Sequence, residues 1–116
     1  AYKRKSKAKD LIGLARSCAM EIISQCQIDS NSNTPMGNLE SCTVSGQVGK
    51  YLSNVQIQYS DDGNSYTQIT TSTTTAVDCD GFYIKAVGTV DDEQYKAICQ
   101  ADSNLNVDCK GVVSGS

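Results

Sequence analysis

The sequence has no histidine and no tryptophan, and its 116 residues include one phenylalanine and one proline. Without histidine, the side chain most often used as a general base is missing, together with most serine and cysteine nucleophile arrangements. No glycine-rich phosphate-binding loop is present, since Gly46 and Gly49 are too few to form one. The composition therefore predicts a protein that is not an enzyme and that uses no cofactor.

A metal site is also poorly supported. The cysteines include no C-x-x-C pair, whereas structural zinc sites use such closely spaced ligands. Acidic residues cluster at Asp61-Asp62, at Asp78 and Asp80, and at Asp91-Asp92-Glu93. None of these clusters matches the twelve-residue calcium loop, and two of them fall in hairpin turns, where Asp is favoured for backbone reasons. We therefore predict no metal.

The chain also lacks a secretory signal and any apolar run of about 18 residues, the length that marks a membrane-spanning helix. It has instead six cysteines. Such a content is typical of an oxidising compartment and of a small fold held by disulfides, each of which contributes ~2–4 kcal/mol. The cysteines thus indicate an exported protein, and we expect its export signal to precede Ala1.

The first 28 residues predict one long amphipathic helix. Its apolar residues follow the i, i+3, i+4 spacing of a helix with one buried face. They are Ala8, Leu11, Ile12, Ala15, Cys18, Ala19, Ile22, Ile23 and Cys26. The helix begins without the capping residue and the acids that usually mark a helix start. Two interpretations follow: the helix begins near Asp10, or this is the lower half of a helix whose beginning lies upstream.

The charge is unevenly distributed along the chain. The first nine residues contain five cations and no acid, and the overall net charge of −3 leaves −8 for the other residues. The cations are Lys3, Arg4, Lys5, Lys7 and Lys9. A basic segment of this kind can contact anionic lipid headgroups or nucleic acid, or it can be a solvated helix end.

From residue 55 onward, apolar and polar residues alternate with the period of a half-buried strand. Four strands are predicted, at residues 55–60, 66–70, 82–90 and 95–99. Asp62-Gly63 and Asp91-Asp92 lie between consecutive strands and predict two hairpins. The expected fold is therefore α+β: a long N-terminal α-helix packed on a four-stranded antiparallel sheet and held by disulfides.

The cysteine positions restrict the pairing. Cys18 and Cys26 are about 12 Å apart on a helix, too far to pair with each other. Cys99 ends a strand and Cys109 follows a short excursion, so we predict that these two pair. Cys26 with Cys42 and Cys18 with Cys79 is then the favoured arrangement. The alternative, Cys18 with Cys42 and Cys26 with Cys79, stays open.

This organisation resembles a type IV pilin from which the hydrophobic first half of the helix is missing. Ala1-Tyr2 and the polar residues after it resemble the start of the amphipathic half of the pilin helix, and residues 15–26 resemble its sheet-packed face. The resemblance covers a single domain in four parts: helix 1–28, αβ-loop 29–54, sheet 55–99 and disulfide-bounded C-terminal region 99–116. The common family pattern has one C-terminal cysteine pair, so four of the cysteines here are additional.

The resemblance implies a structural subunit of an extracellular pilus filament that supports adhesion, surface motility or DNA uptake. It implies an inner-membrane precursor whose headpiece is periplasmic or external. The implied partners are copies of the same chain, the membrane through the missing N-terminal segment, and the pilus assembly machinery. The basic segment would lie where stem and headpiece meet, and DNA is a further partner to test there. The alternatives are a pseudopilin of a type II secretion system and a free-standing secreted disulfide-rich binding module.

Overall fold

The N-terminal region is helical in two segments. The computed structural model describes the backbone of residues 2–115 and the side chains of residues 4–115. The segments are α1, Tyr2–Lys7, and α2, Asp10–Ile28. At the junction, the backbone N–H groups of Lys9, Leu11 and Ile12 donate to carbonyls three residues earlier, so the helix tightens locally instead of stopping. Helical backbone is thus already present at Tyr2, ahead of Asp10, where α2 begins.

Within residues 2–115, the sheet is antiparallel and has seven strands, whereas the sequence predicts four. In chain order they are β1 (Gly46–Val48), β2 (Leu52–Ser60), β3 (Thr67–Gln68), β4 (Phe82–Val90), β5 (Glu93–Ala101), β6 (Val107–Cys109) and β7 (Val113–Ser114). Their spatial order is β1-β2-β4-β5-β6; β3 also pairs with β2, and β7 with β5. The predicted strands correspond to β2 to β5. The three additional strands have two or three residues each, too few to produce an alternating pattern.

The core lies between α2 and the three nine-residue strands, β2, β4 and β5. The buried helix residues are Leu11, Ala15, Cys18, Ala19, Ile22, Ile23 and Cys26. Opposite them, β4 buries Phe82, Ile84 and Ala86. Gly88 allows helix and sheet to pack tightly, because a Cβ there would lie 3.2 Å from side-chain carbons of Leu11 and Leu52. The predicted packing of the helix stripe on one sheet face is therefore observed.

The predicted hairpin between β4 and β5 closes through a two-residue turn. Asp91 and Asp92 both have a positive φ, 51° and 66°, as a type I′ turn requires. Val90 pairs with Glu93 directly across this turn. The turn therefore places Glu93 at the same end of the sheet as the N-terminus of the helix.

The three disulfides are Cys18–Cys42, Cys26–Cys79 and Cys99–Cys109. The last is the predicted pair, and its two cysteines lie opposite each other in the β5–β6 register. The favoured pairing of Cys26 with Cys42 and of Cys18 with Cys79 is wrong.

The physical reason is the path of the chain after α2. Residues 29–42 turn back along the helix, and the backbone N–H of Ser41 donates to the Glu21 carboxylate at 2.9 Å. Cys42 therefore reaches the middle of α2 at Cys18, which lies about two helical turns before Cys26. The C-terminal end of α2 is left next to the segment that leads into β4, and Cys26 pairs there with Cys79.

Candidate interaction surface

The basic N-terminal segment is held to the folded domain by Arg4. Its guanidinium forms an ion pair with the Glu93 carboxylate, N to O 2.5 Å. The Tyr95 hydroxyl donates to the same carboxylate oxygen at 3.1 Å. One carboxylate at the start of β5 thus receives two donors, and α1 is fixed beside the turn between β4 and β5.

A second contact lies one helical turn further along. The Lys7 ammonium lies 4.5 Å from the centre of the Tyr51 ring, within the range of a cation–π interaction. Ala8, the next residue, is fully buried. Arg4, Lys7 and Ala8 therefore form the inward face of the segment.

The four cations of the segment whose side chains the structure describes differ in their surroundings. Arg4 and Lys7 contact the domain, whereas Lys5 and Lys9 are exposed. Lys3 lies outside the residues whose side chains the structure describes. Sequence reasoning missed Glu93 and Tyr51 as partners, because Glu93 is 89 residues from Arg4 and no local pattern connects them. Among the described cations of the segment, Lys5 and Lys9 are thus the exposed ones.

The ion pair predicts a pH dependence. Hydrogen bonds from Arg4 and Tyr95 lower the pKa of Glu93 from its ordinary value. A lowered pKa in the folded state means that the contact is fully present above about 4.3 and is lost as the pH falls through the lower folded value. We expect the α1 amides to keep constant NMR shifts from neutral pH down to about pH 5 and to lose hydrogen-exchange protection under more acidic conditions.

Two variants distinguish loss of the Arg4–Glu93 contact from other effects of low pH on the domain. Glu93→Gln should remove the acid transition and leave α1 weakly protected at every pH. Asp92→Asn changes an exposed acid one residue away and should leave the transition in place. If the hydrogen-exchange protection of α1 in Glu93→Gln depended on pH as it does in the wild type, Glu93 would not hold α1.

In two of the three acidic clusters, a carboxylate accepts hydrogen bonds from the backbone of its own turn. Asp62 accepts hydrogen bonds from the backbone N–H groups of Asn64 and Ser65, which lower its pKa. Asp78 accepts one from the backbone N–H of Asp80. Within the part of the chain that the structure describes, no three His, Cys, Asp or Glu side chains are grouped so as to hold a metal ion. The Asp62 and Asp78 carboxylates thus stabilise the turns in which they lie.

The outer face of the sheet, opposite α2, is the other surface with a distinctive composition. Alternation along β4 and β5 directs Tyr83, Lys85, Lys96 and Ile98 to this face, and all four are half-buried. The β2–β3 hairpin folds against it, because Lys85 lies 4.1 Å from the centre of the Tyr66 ring. Burial, and then the nearby Lys96 charge, lower the pKa of Lys85.

Within residues 2–115, no helix combines the length and the apolar character needed to cross a bilayer. Comparisons of the chain with protein-family models, with curated proteins and with solved structures find no match. The arguments about function therefore rest on the chain's own residues and geometry.

Proposed function

We propose that this chain is the headpiece of a type IV pilin-like filament subunit. The observation that carries the proposal is the arrangement of the helix. Its α2 segment buries one face on the central strands of an antiparallel sheet, and its α1 segment continues to one end of the domain with Lys5 and Lys9 exposed. A helix placed in this way can continue as a stem beyond the domain.

The disulfides support the same proposal. Cys99–Cys109 fixes the C-terminal region to β5, and the other two bonds connect α2 to the loops on its sides. Disulfides persist in oxidising compartments. In a fibre outside the cell they would protect each headpiece against force and proteolysis.

The assembly follows from the physics of the helix. An apolar stem of about 20 residues joined to α1 would anchor the precursor in the inner membrane. Lys5 and Lys9 would then lie close to anionic headgroups. After extraction, the stems would pack against one another, and a head-to-tail arrangement would give an open helical filament.

The exposed side of α2 is consistent with neighbours in a filament. Met20 and Ile28 are 48% and 82% exposed, large values for apolar side chains on a helix that otherwise buries its apolar residues. In a fibre they would pack against adjacent subunits, and adhesion, surface motility or DNA uptake would be properties of the assembled fibre. The subunit itself would be structural, with copies of itself, the membrane and the assembly machinery as partners.

The coding sequence upstream of Ala1 tests the proposal. A filament subunit requires an apolar helical segment of about 20 residues joined to α1, preceded by a short basic leader. A secretory signal cleaved directly before α1, with no such segment, would contradict the proposal and favour a free-standing binding module.

A further inference from the structure

Three lysines surround Ile98 on the outer face of the sheet. Lys85 lies directly opposite Ile98 in the β4–β5 register. Lys96 precedes Ile98 by two residues on β5 and therefore faces the same side. Lys110 lies beside it on the other edge of β5, because its backbone N–H donates to the Ile98 carbonyl at 3.1 Å. We refer to Lys85, Lys96 and Lys110 as the sheet-face lysines.

The sheet-face lysines have no acid partner. Among the described side chains, the one ion pair within 4.0 Å is Arg4–Glu93, at the far end of β5. Asp108, opposite Gln100 in the β5–β6 register, lies near Lys110 and forms no ion pair within 4.0 Å. Lys85 and Lys96 lie close enough for their charges to repel each other, so an anion beside them would relieve an unfavourable arrangement.

A shallow groove lies beside the lysines. Its volume is about 210 Å³, and it is lined by Gly63, Tyr66, Tyr83, Ile98, Gln100, Asp108 and Lys110. It combines ammonium, amide, hydroxyl and carboxylate groups with an apolar floor. Such a surface can bind a ligand that carries anions, hydroxyls and small apolar faces together.

Each of the two tyrosine rings is contacted on one side. The Lys85 ammonium covers one side of the Tyr66 ring at 4.1 Å from its centre. Tyr83 packs directly against Gly63, since a Cβ at Gly63 would lie 3.0 Å from that ring. Single-stranded nucleic acids rely on open aromatic faces for their bases, so these contacts favour a ligand without flat bases.

We propose that the outer sheet face binds an anionic polysaccharide, with the sheet-face lysines on its carboxylate or sulfate groups and the groove beside Ile98 on a sugar ring. The hydroxyls of the ligand would meet Gln100 and the tyrosine hydroxyls. This binding belongs to the single headpiece and does not depend on filament assembly, so it can fail or succeed independently of the proposed filament.

The test is a titration of the protein with three probes, followed by NMR and calorimetry. The probes are oligogalacturonate, which carries carboxylates, dextran sulfate, which carries sulfates, and neutral dextran. We expect an anionic probe to shift the signals around Ile98, more weakly as salt is added, and neutral dextran to leave them unchanged. The pattern of binding to the two anionic probes identifies which anion the site takes.

Matched triple variants test the residues. Changing Lys85, Lys96 and Lys110 to Gln should raise Kd about tenfold or more, since each ion contact contributes modestly at a surface. Changing Lys9, Arg16 and Lys50 to Gln removes the same charge elsewhere and should raise Kd less than about twofold, because distant exposed charges are screened. Lysine-to-arginine changes at the three sheet positions should preserve binding.

Several results would overturn the proposal. Equal weakening in both glutamine variants would mean that only net charge attracts the polymer. Tighter binding of single-stranded DNA to the same face would assign it to nucleic acid. Self-association that disappears in the Lys85, Lys96 and Lys110 variant would assign it to a second copy. Absence of binding to both anionic probes would also refute it.

Discussion

Replacing Cys26 and Cys79 together with alanine is expected to lower the free energy of unfolding by about 4 kcal/mol. The bond joins residues 53 apart, the largest separation of the three disulfides. A longer closed loop restricts the unfolded chain more, so its loss costs more. Small domains are stable by only about 5–15 kcal/mol, so this single change removes a large part of the margin.

The measurement is urea unfolding of the double variant beside a matched pair. Alanine at Cys99 and Cys109 opens a loop with a separation of 10 and should cost about 2.5–3 kcal/mol. The order of the two losses is the decisive result. If the Cys99 and Cys109 variant were destabilised more than the Cys26 and Cys79 variant, the described connection between the end of α2 and β4 would be wrong.

The second large effect is expected at Gly37. This residue lies in a short 3-10 helix, Met36–Asn38, that packs against the loop after β3, and its backbone N–H donates to the Thr73 carbonyl at 3.1 Å. A Cβ at Gly37 would lie 2.6 Å from that oxygen and 2.8 Å from the Thr70 carbonyl oxygen. Both atoms are backbone, so no side-chain rotation relieves the clash. Gly37→Ala should therefore cost about 3 kcal/mol, at the upper end of the range for overpacking.

Gly13 provides the matched control. It lies inside α2, is exposed, and a Cβ there would meet no atom within 4 Å. Gly13→Ala should raise the free energy of unfolding by up to about 1 kcal/mol, because alanine favours the helix and reduces the freedom of the unfolded chain. The same substitution is therefore expected to lower the free energy of unfolding at Gly37 and to raise it at Gly13. A Gly37→Ala protein within about 0.5 kcal/mol of wild type would refute the described loop packing.

Much of the fold was predictable from sequence because the period of the apolar residues is a local property. The α2 stripe and the alternation of β4 are both long enough to be distinguished. β1, β6 and β7 were not predictable in this way, because their pairing depends on the long strands next to them. The favoured pairings of Cys26 with Cys42 and of Cys18 with Cys79 were wrong for a related reason. The path of residues 29–42 back along α2 leaves no periodic signal in the sequence.

The candidate surfaces were predictable only in part. The basic segment was evident from composition, but the division between inward Arg4 and Lys7 and outward Lys5 and Lys9 depends on Glu93 and Tyr51. The sheet-face lysines come from two long strands and a C-terminal segment. They come together only when β5 lies between β4 and the residues that follow β6.

The proposal of a filament subunit is tested most directly by electron microscopy of intact source cells labelled with gold-coupled antibodies against this domain. We expect gold along thin surface fibres, and both fibres and label should disappear when the gene is deleted. Cells that release the domain as a free protein, or that keep the same fibres without the gene, would contradict it.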